Sequence, residues 1–185
     1  MVRVIGPRDP RDKTAINTTS ISKDWSRGLS PMILGPVPVP GRGLATNVEN
    51  AWQYSKVYKQ HMAPNGDPNA AWYFWSRMGF NKPYGVRYPM GKGVEPEYSF
   101  WNGQKFGYLD ARKNIYMPIY AAALKQSAAY QKLLTIYQTQ GTVTLWDVDG
   151  YDYLKMRRTL EDCVDDPNKI LGHAFCIALC LEGRL

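Results

Sequence analysis

Three polar residues at helical spacing are the part of this sequence best suited to chemistry: Glu49, Gln53 and Lys56. At 100° per residue, their side chains fall within about 60° of one another on one helix face. Trp52 lies beside them, at the edge of the apolar face to which Val48 belongs. A carboxylate, an amide and an amine therefore meet where a helix passes from core to solvent. This arrangement is suited to acid–base or sugar chemistry.

The helix that carries these residues is predicted over about residues 48–61. Thr46 and Glu49 have the spacing of a capping box, in which a glutamate side chain reaches back to the backbone at the start of a helix. On spacing alone, we favour capping over catalysis as the role of Glu49. The two roles do not exclude each other.

Two other polar segments could take part in a site. Asp147 and Asp149 follow the alternating segment Thr142–Trp146, which predicts a strand. Aspartates after a strand are often catalytic, but they also form turns, and the turn role is the stronger explanation by itself. The segment Asn168–Gly172 precedes an apolar helix and could offer backbone N–H groups to a phosphate, although Asn is also an ordinary helix cap.

The charge of the chain indicates an anionic partner. The formal net charge is +7, which favours phosphate-bearing ligands or nucleic acid, although general solubility explains it as well. The 13 Tyr, 6 Trp and 5 Phe could stack on bases or sugars, but packing accounts for most of them. No P-loop or dinucleotide-binding fingerprint occurs, and we expect no cofactor.

Cysteine and histidine usage predicts no metal site and no disulfide framework. Cys176 and Cys180 fall on one face of an apolar helix, where they and Cys163 are expected to be buried, reduced thiols. His61 and His173 are too far apart in the sequence to indicate a metal cluster. No apolar run is long enough to span a membrane, so we expect no membrane partner and a cytoplasmic location.

The order of predicted elements indicates one mainly helical α+β domain over residues 1–185 with a few short strands. The middle segment, about residues 80–108, is rich in Gly, Pro and Tyr, and is predicted as a long excursion with a hairpin at Trp101–Gln104. The predicted helices include one capped by Asp67, two between Asp110 and Thr139, one over residues 153–164, and a last one, Leu171–Leu181, opened by Asn168. The other strand candidates are Ala15–Ser20, Met32–Leu34 and the edge segment Pro36–Pro40.

Several of these segments together resemble the NADAR family of ADP-ribose-associated N-glycosidases. The segment Val48–Lys56 reproduces the Glu, Gln and Lys of the family pattern S-E-H-x-x-Q-x-x-K, with Asn50 in place of the usual His. Leu145–Gly150 resembles the family's W-G-D corner, and Asn168–Gly172 resembles its N-x-L-G segment, each about one residue longer. Near the N-terminus, Leu29–Met32 stands where the family often has L-S-N-F. The resemblance covers roughly residues 15–182.

The resemblance implies cleavage of an N-glycosidic bond between a phospho- or ADP-ribose and a base or amine, of the kind found in ADP-ribosylated nucleobases, NAD-derived molecules or riboflavin-pathway intermediates. It implies that Lys56 is the nucleophile and Glu49 the acid–base group, with Asp147 or Asp149 holding ribose hydroxyls. The implied substrate-binding residues are Gln53, Trp146, Asn168 and Gly172. Cations of the middle segment that could contact phosphates are Arg77, Lys82 and Arg87. Such an enzyme would suit a bacterial or phage accessory role.

A different class of function is also compatible with the sequence. The same fold could bind nucleotides, ADP-ribose or nucleic acid without catalysis. The departures from the family pattern at Asn50, Pro31 and Asp147 would be expected in a protein that has lost the catalytic activity of the family. Lys56 distinguishes the two. A nucleophilic lysine should be partly buried and reachable by a ligand. A fully solvated Lys56 would instead indicate that Glu49, Gln53 and Lys56 form an ordinary helix surface.

Overall fold

The computed structural model describes residues 1–185. It has 38% helix and 15% strand, which confirms the predicted mainly helical α+β class. The strands are β1 (Val2–Ile5), β2 (Ile16–Asn17), β3 (Val37–Val39), β4 (Gly43–Ala45), β5 (Lys56–Val57), β6 (Tyr98–Trp101), β7 (Gln104–Phe106) and β8 (Val143–Trp146). The α-helices are α1 (Val48–Tyr54), α2 (Ala70–Phe80), α3 (Tyr108–Ala111), α4 (Met117–Lys125), α5 (Ala128–Gln140), α6 (Leu160–Val164) and α7 (His173–Leu181). None of these helices is both long enough and apolar enough to cross a bilayer.

Contacts divide the chain into two compact units. We call Met1–Ser30 with Tyr120–Leu185 the terminal unit, and Pro31–Ile119 the central unit. Both units contain buried hydrophobic residues.

The terminal unit is built on a parallel sheet in the order β1-β8-β2. Val2 pairs with Val143, and Leu145 pairs with both Val4 and Ile16, so the apolar strand β8 lies between the other two. Every residue of α7 is buried, which confirms that its apolar sequence makes a core helix. Helix α7 packs against β1.

The central unit contains the α1 segment and two small antiparallel sheets. β3 and β4 form a hairpin, and β5-β6-β7 form a three-stranded sheet. The predicted turn between β6 and β7 is confirmed: Asn102 and Gly103 have φ of 49° and 76°, as the tight Asn-Gly hairpin turn requires. Helices α1 and α2 pack closely because Gly79 faces the Tyr54 ring, and a Cβ at residue 79 would overlap that ring.

Several predicted boundaries are confirmed and others are wrong. Ser127 caps α5, and Gly141, with φ of 71°, ends it as predicted. Residues 153–164 are not one helix, because Arg157 adopts the left-handed conformation (φ 54°) and the helix restarts with a capping box at Thr159. Asn69, not Asp67, caps α2.

The three other strand predictions have different outcomes. Ile16–Asn17 and Val37–Val39 are strands within the predicted segments, whereas Met32–Leu34 forms a turn. Strand β1 was not predicted, since its four residues gain their strand conformation from pairing with β8, about 140 residues later.

Candidate functional site

Helix α1 positions Glu49 and Gln53 in the central unit. Its N-cap is Asn47, whose side chain accepts a hydrogen bond from the Asn50 backbone at 2.9 Å. The predicted capping box between Thr46 and Glu49 is therefore wrong, because the helix begins one residue later than that box requires. Glu49 therefore does not have the capping role that its spacing from Thr46 predicted.

Lys56 does not belong to the helix, so the prediction of one helix over residues 48–61 is also wrong. Helix α1 ends at Tyr54, and Lys56 begins β5, where it pairs with Ser99 of β6. The Trp72 indole N–H donates to the Lys56 carbonyl at 2.9 Å, which fixes the lysine backbone from the other side. Tertiary pairing overrides the helical pattern here.

The side chains of Glu49, Gln53 and Lys56 nevertheless form one hydrogen-bonded chain. Lys56 Nζ donates to Gln53 Oε1 at 2.7 Å, and Gln53 Nε2 donates to Glu49 Oε1 at 2.9 Å. Both ends of the glutamine amide are therefore used to connect an amine to a carboxylate. Glu49 and Gln53 are buried, with 6% and 5% of their surface exposed, while Lys56 is only partly buried.

The environment of Lys56 favours the neutral amine. Burial is the largest effect, and with the positive charge of Arg87 it outweighs Glu49 and lowers the Lys56 pKa to about 8. At pH 7 a pKa of about 8 leaves roughly a tenth of the amines neutral, against about one in three thousand for an ordinary lysine. A partly exposed amine in this state is a usable nucleophile.

Two aromatic rings form the apolar side of this group. Lys56 Nζ lies 4.8 Å from the centre of the Trp52 ring, and that ring is 5.4 Å from the ring of Tyr116. Tyr116 ends a π-helical turn, Arg112–Tyr116, which directly precedes α4. Tyr116 could not be predicted as a neighbour of Trp52, because no local pattern links it to a residue 64 positions earlier.

The predicted corner after β8 lies in the terminal unit, and Asp147 is completely buried there. Its Oδ1 accepts from the Asp149 backbone at 3.1 Å, and its Oδ2 accepts from the Ala174 backbone at 3.0 Å. His173 Nδ1 lies 3.1 Å from that same Oδ2, and its Nε2 lies 2.8 Å from the Thr18 carbonyl oxygen. The carboxylate therefore receives bonds from the start of α7 and from its own turn.

Gly172 allows this close approach. A Cβ at residue 172 would lie 2.6 Å from Asp147 Oδ2, so a larger residue would displace the carboxylate. Gly172 is also the N-cap of α7. His173 was not identified as the partner of Asp147, although it directly follows Gly172 in the motif and could have been noticed there.

The sequence predicted that Asn168 opens the last helix, and this prediction is wrong. Asn168 is exposed, and its backbone donates to Asp166 Oδ1 at 2.9 Å in a turn that ends well before α7 begins at His173. Trp146 and Asp149 are partly exposed.

The sequence-predicted residues thus fall into two groups. Glu49, Gln53 and Lys56 meet in the central unit, and the second group belongs to the terminal unit. The members of that second group are Trp146, Asp147, Asp149, Asn168 and Gly172. No three His, Cys, Asp or Glu side chains gather as metal ligands, and the three cysteines are buried and form no disulfide.

No family model, curated protein or solved structure matches this chain.

Proposed function

We propose that this protein is an N-glycosidase that releases a base or amine from a phospho- or ADP-ribose, with Lys56 as the nucleophile. One observation carries the proposal: Lys56 Nζ is held by Gln53, which is held in turn by Glu49, in surroundings that lower the amine pKa to about 8. The resemblance of Val48–Lys56 to the NADAR helix supports the same assignment. The proposal rests on the central unit.

The reaction begins when the neutral Lys56 amine attacks the anomeric carbon, C1. The bond from C1 to the base nitrogen breaks, and the base leaves with the bonding electrons and takes a proton from solvent. Glu49 then accepts a proton from the lysine nitrogen, which leaves a neutral glycosylamine. Glu49 is assigned this role because Gln53 connects it to Lys56 through two hydrogen bonds and because its negative charge favours the protonated amine.

The second half of the reaction releases the sugar. The bond from C1 to the ring oxygen breaks as C1 and the lysine nitrogen form a protonated imine, and the ring oxygen takes the proton back from Glu49. Water then adds to C1 and frees the lysine with loss of one proton, so the net reaction is hydrolysis. Gln53 holds Nζ in place, and the Trp52 ring offers a surface against which the leaving base can stack.

We assign Asp147 a structural role in this scheme. Each oxygen of its buried carboxylate already accepts hydrogen bonds from the protein. Asp149 is partly exposed, and its backbone N–H donates to that carboxylate.

The proposal is tested by substituting the nucleophile. ADP-ribosylated nucleobases, NAD and riboflavin-pathway intermediates are incubated with the protein, and the released base is measured by mass spectrometry. Lys56→Met should lower the rate on the order of a thousandfold or more. Lys59→Met, at an exposed lysine nearby, should keep the wild-type rate.

Two results would count against the proposal. Full base release by Lys56→Met would remove the lysine from the mechanism. Binding of ADP-ribose without release from any of these compounds would instead favour the non-catalytic binder.

A further inference from the structure

Helix α2 turns an apolar face away from its buried side. The buried residues of α2 are Trp72, Ser76, Gly79 and Phe80. On the opposite side, Phe74 and Met78 are 70% and 55% exposed. At 100° per residue, these two side chains share an arc of about 100° with the exposed residues Ala70 and Ala71. The outer face of a helix ordinarily carries polar residues, so this face has the composition of an interface.

The outer face has the size and relief that a second helix can fill. From Ala70 to Met78 it is about 12 Å long, which corresponds to slightly more than two helical turns. The two alanines leave space for large side chains of a partner, while Phe74 and Met78 project towards it. An amphipathic helix offers large apolar side chains over the same distance, at positions i, i+3, i+4 and i+7.

One edge of the outer face is positively charged. Arg77 is exposed, and the helical period places it between Ala70 and Tyr73. The Arg42 guanidinium lies over the Tyr73 ring, 5.1 Å from its centre, and its Nη2 donates to the Tyr73 carbonyl oxygen at 2.8 Å. Its Nη1 has no hydrogen-bond partner. Two guanidinium groups therefore lie along the Tyr73 side of α2.

The sequence around α2 offers these cations no carboxylate. No acidic residue occurs between Asp67 and Glu95, and Asp67 is itself paired with Lys105 at 2.7 Å. Burial lowers the pKa of Arg42, and no carboxylate is among the groups that act on it. A partner with carboxylates along one edge would complement this charge.

We propose that the outer face of α2 docks an acidic amphipathic helix of a partner protein. The apolar side chains of that helix cover the alanines and pack around Phe74 and Met78. Its carboxylates face Arg77 and Arg42, which determines the orientation of the partner. The inference is independent of the proposed function, because none of these residues takes part in the mechanism.

Two other occupants fit this face less well. A second copy carries the same net charge of +7, and an antiparallel pair of α2 helices about a twofold axis would bring the two positive edges together. Single-stranded nucleic acid needs cations across its path and flat rings for its bases. Here the cations keep to one edge, and Met78 offers no ring.

The apolar part of the face is tested by fluorescence anisotropy of a labelled probe peptide titrated with the full chain. The probe is a helical peptide of about 15 residues, with leucine at i, i+3, i+4 and i+7 and glutamate beside the leucines. Phe74→Ala and Met78→Ala should each weaken its binding about tenfold or more. Ile21→Ala, which removes a 74% exposed side chain from the terminal unit, should leave binding unchanged.

The positive edge is tested with a second probe, in which lysine replaces each glutamate. This probe should bind about tenfold or more weakly than the acidic one. Arg77→Gln should weaken binding of the acidic probe about threefold and reduce its dependence on salt. Arg8→Gln, which removes the same charge from an exposed position in the terminal unit, should change neither.

The inference is overturned if the acidic probe does not bind, if the lysine probe binds equally well, or if Ile21→Ala weakens binding as much as Phe74→Ala does. A wild-type dimer that Phe74→Ala converts to monomers would make a second copy the occupant. Displacement of the probe by a thymidine oligonucleotide, whose own binding Phe74→Ala abolishes, would make nucleic acid the occupant. A lowered urea midpoint of Phe74→Ala and Met78→Ala would show that the face belongs to the core.

Discussion

The Lys56 pKa depends on burial and on two charged neighbours, Arg87 and Glu49. Burial beside Trp52 and the charge of Arg87 disfavour the ammonium, while the Glu49 carboxylate favours it. The result is a lysine that changes charge near pH 8 and not above pH 10. A measured Lys56 pKa therefore tests whether Trp52, Arg87 and Glu49 surround the amine as described.

The titration of Lys56, followed by NMR of its labelled Cε, should give a pKa of about 8. Glu49→Gln should lower that pKa further, because it removes the charge that stabilises the ammonium, and Arg87→Gln should raise it. Base release should rise with pH through the same midpoint, as neutral amine accumulates. Glu49→Gln should nonetheless slow the reaction, since it removes the group that accepts the proton. A Lys56 pKa near its ordinary value in the wild type would contradict this description.

The residue contacts were predictable only in part. The spacing of Glu49 and Gln53 predicted their contact, because both lie on α1. Lys56 reaches Gln53 although it has left the helix, since Ser55 keeps helical angles (φ −75°, ψ −19°) and carries the chain through one more step of the turn. The strand that follows could not be predicted, because its partner Ser99 is 43 residues away.

At the scale of elements, the junction between β8 and α7 depends on one carboxylate. Asp147 accepts hydrogen bonds at the start of α7, where a negative charge is favourable to the helix dipole. The sequence indicated the two elements and the aspartate, but not the contact, because Ala174 is 27 residues later. The turn explanation of Asp147 accounts for its bond from the Asp149 backbone.

Asp147→Ala should lower the free energy of unfolding by about 2–4 kcal/mol, because it leaves buried donors of His173 and Ala174 without an acceptor. Val148→Ala, at the exposed neighbouring position, should change it by less than about 0.5 kcal/mol. Urea unfolding of both variants checks this. An Asp147→Ala protein as stable as the wild type, but inactive, would return the residue to a catalytic role.

At the scale of the whole molecule, the net charge of +7 and the fold class agree with the proposal without selecting it. The class was predictable from the longer helices, since Ser127 and Gly141 mark the ends of α5 and the sequence of α7 is apolar on nearly all sides. The loop at residues 82–88 was predicted only as part of a long excursion, since its conformation depends on the Asn50 side chain. The chemistry therefore rests on the side-chain group around Lys56.

Borohydride trapping tests the central claim most directly. The protein is incubated with an ADP-ribosylated nucleobase, reduced with borohydride and digested, and the peptides are read by mass spectrometry. Hydride addition to C1 of the imine should leave a stable secondary amine on Lys56, which is absent in Lys56→Met and present in Lys59→Met. Base release without an adduct on Lys56, or an adduct that persists in Lys56→Met, would contradict Lys56 as the nucleophile.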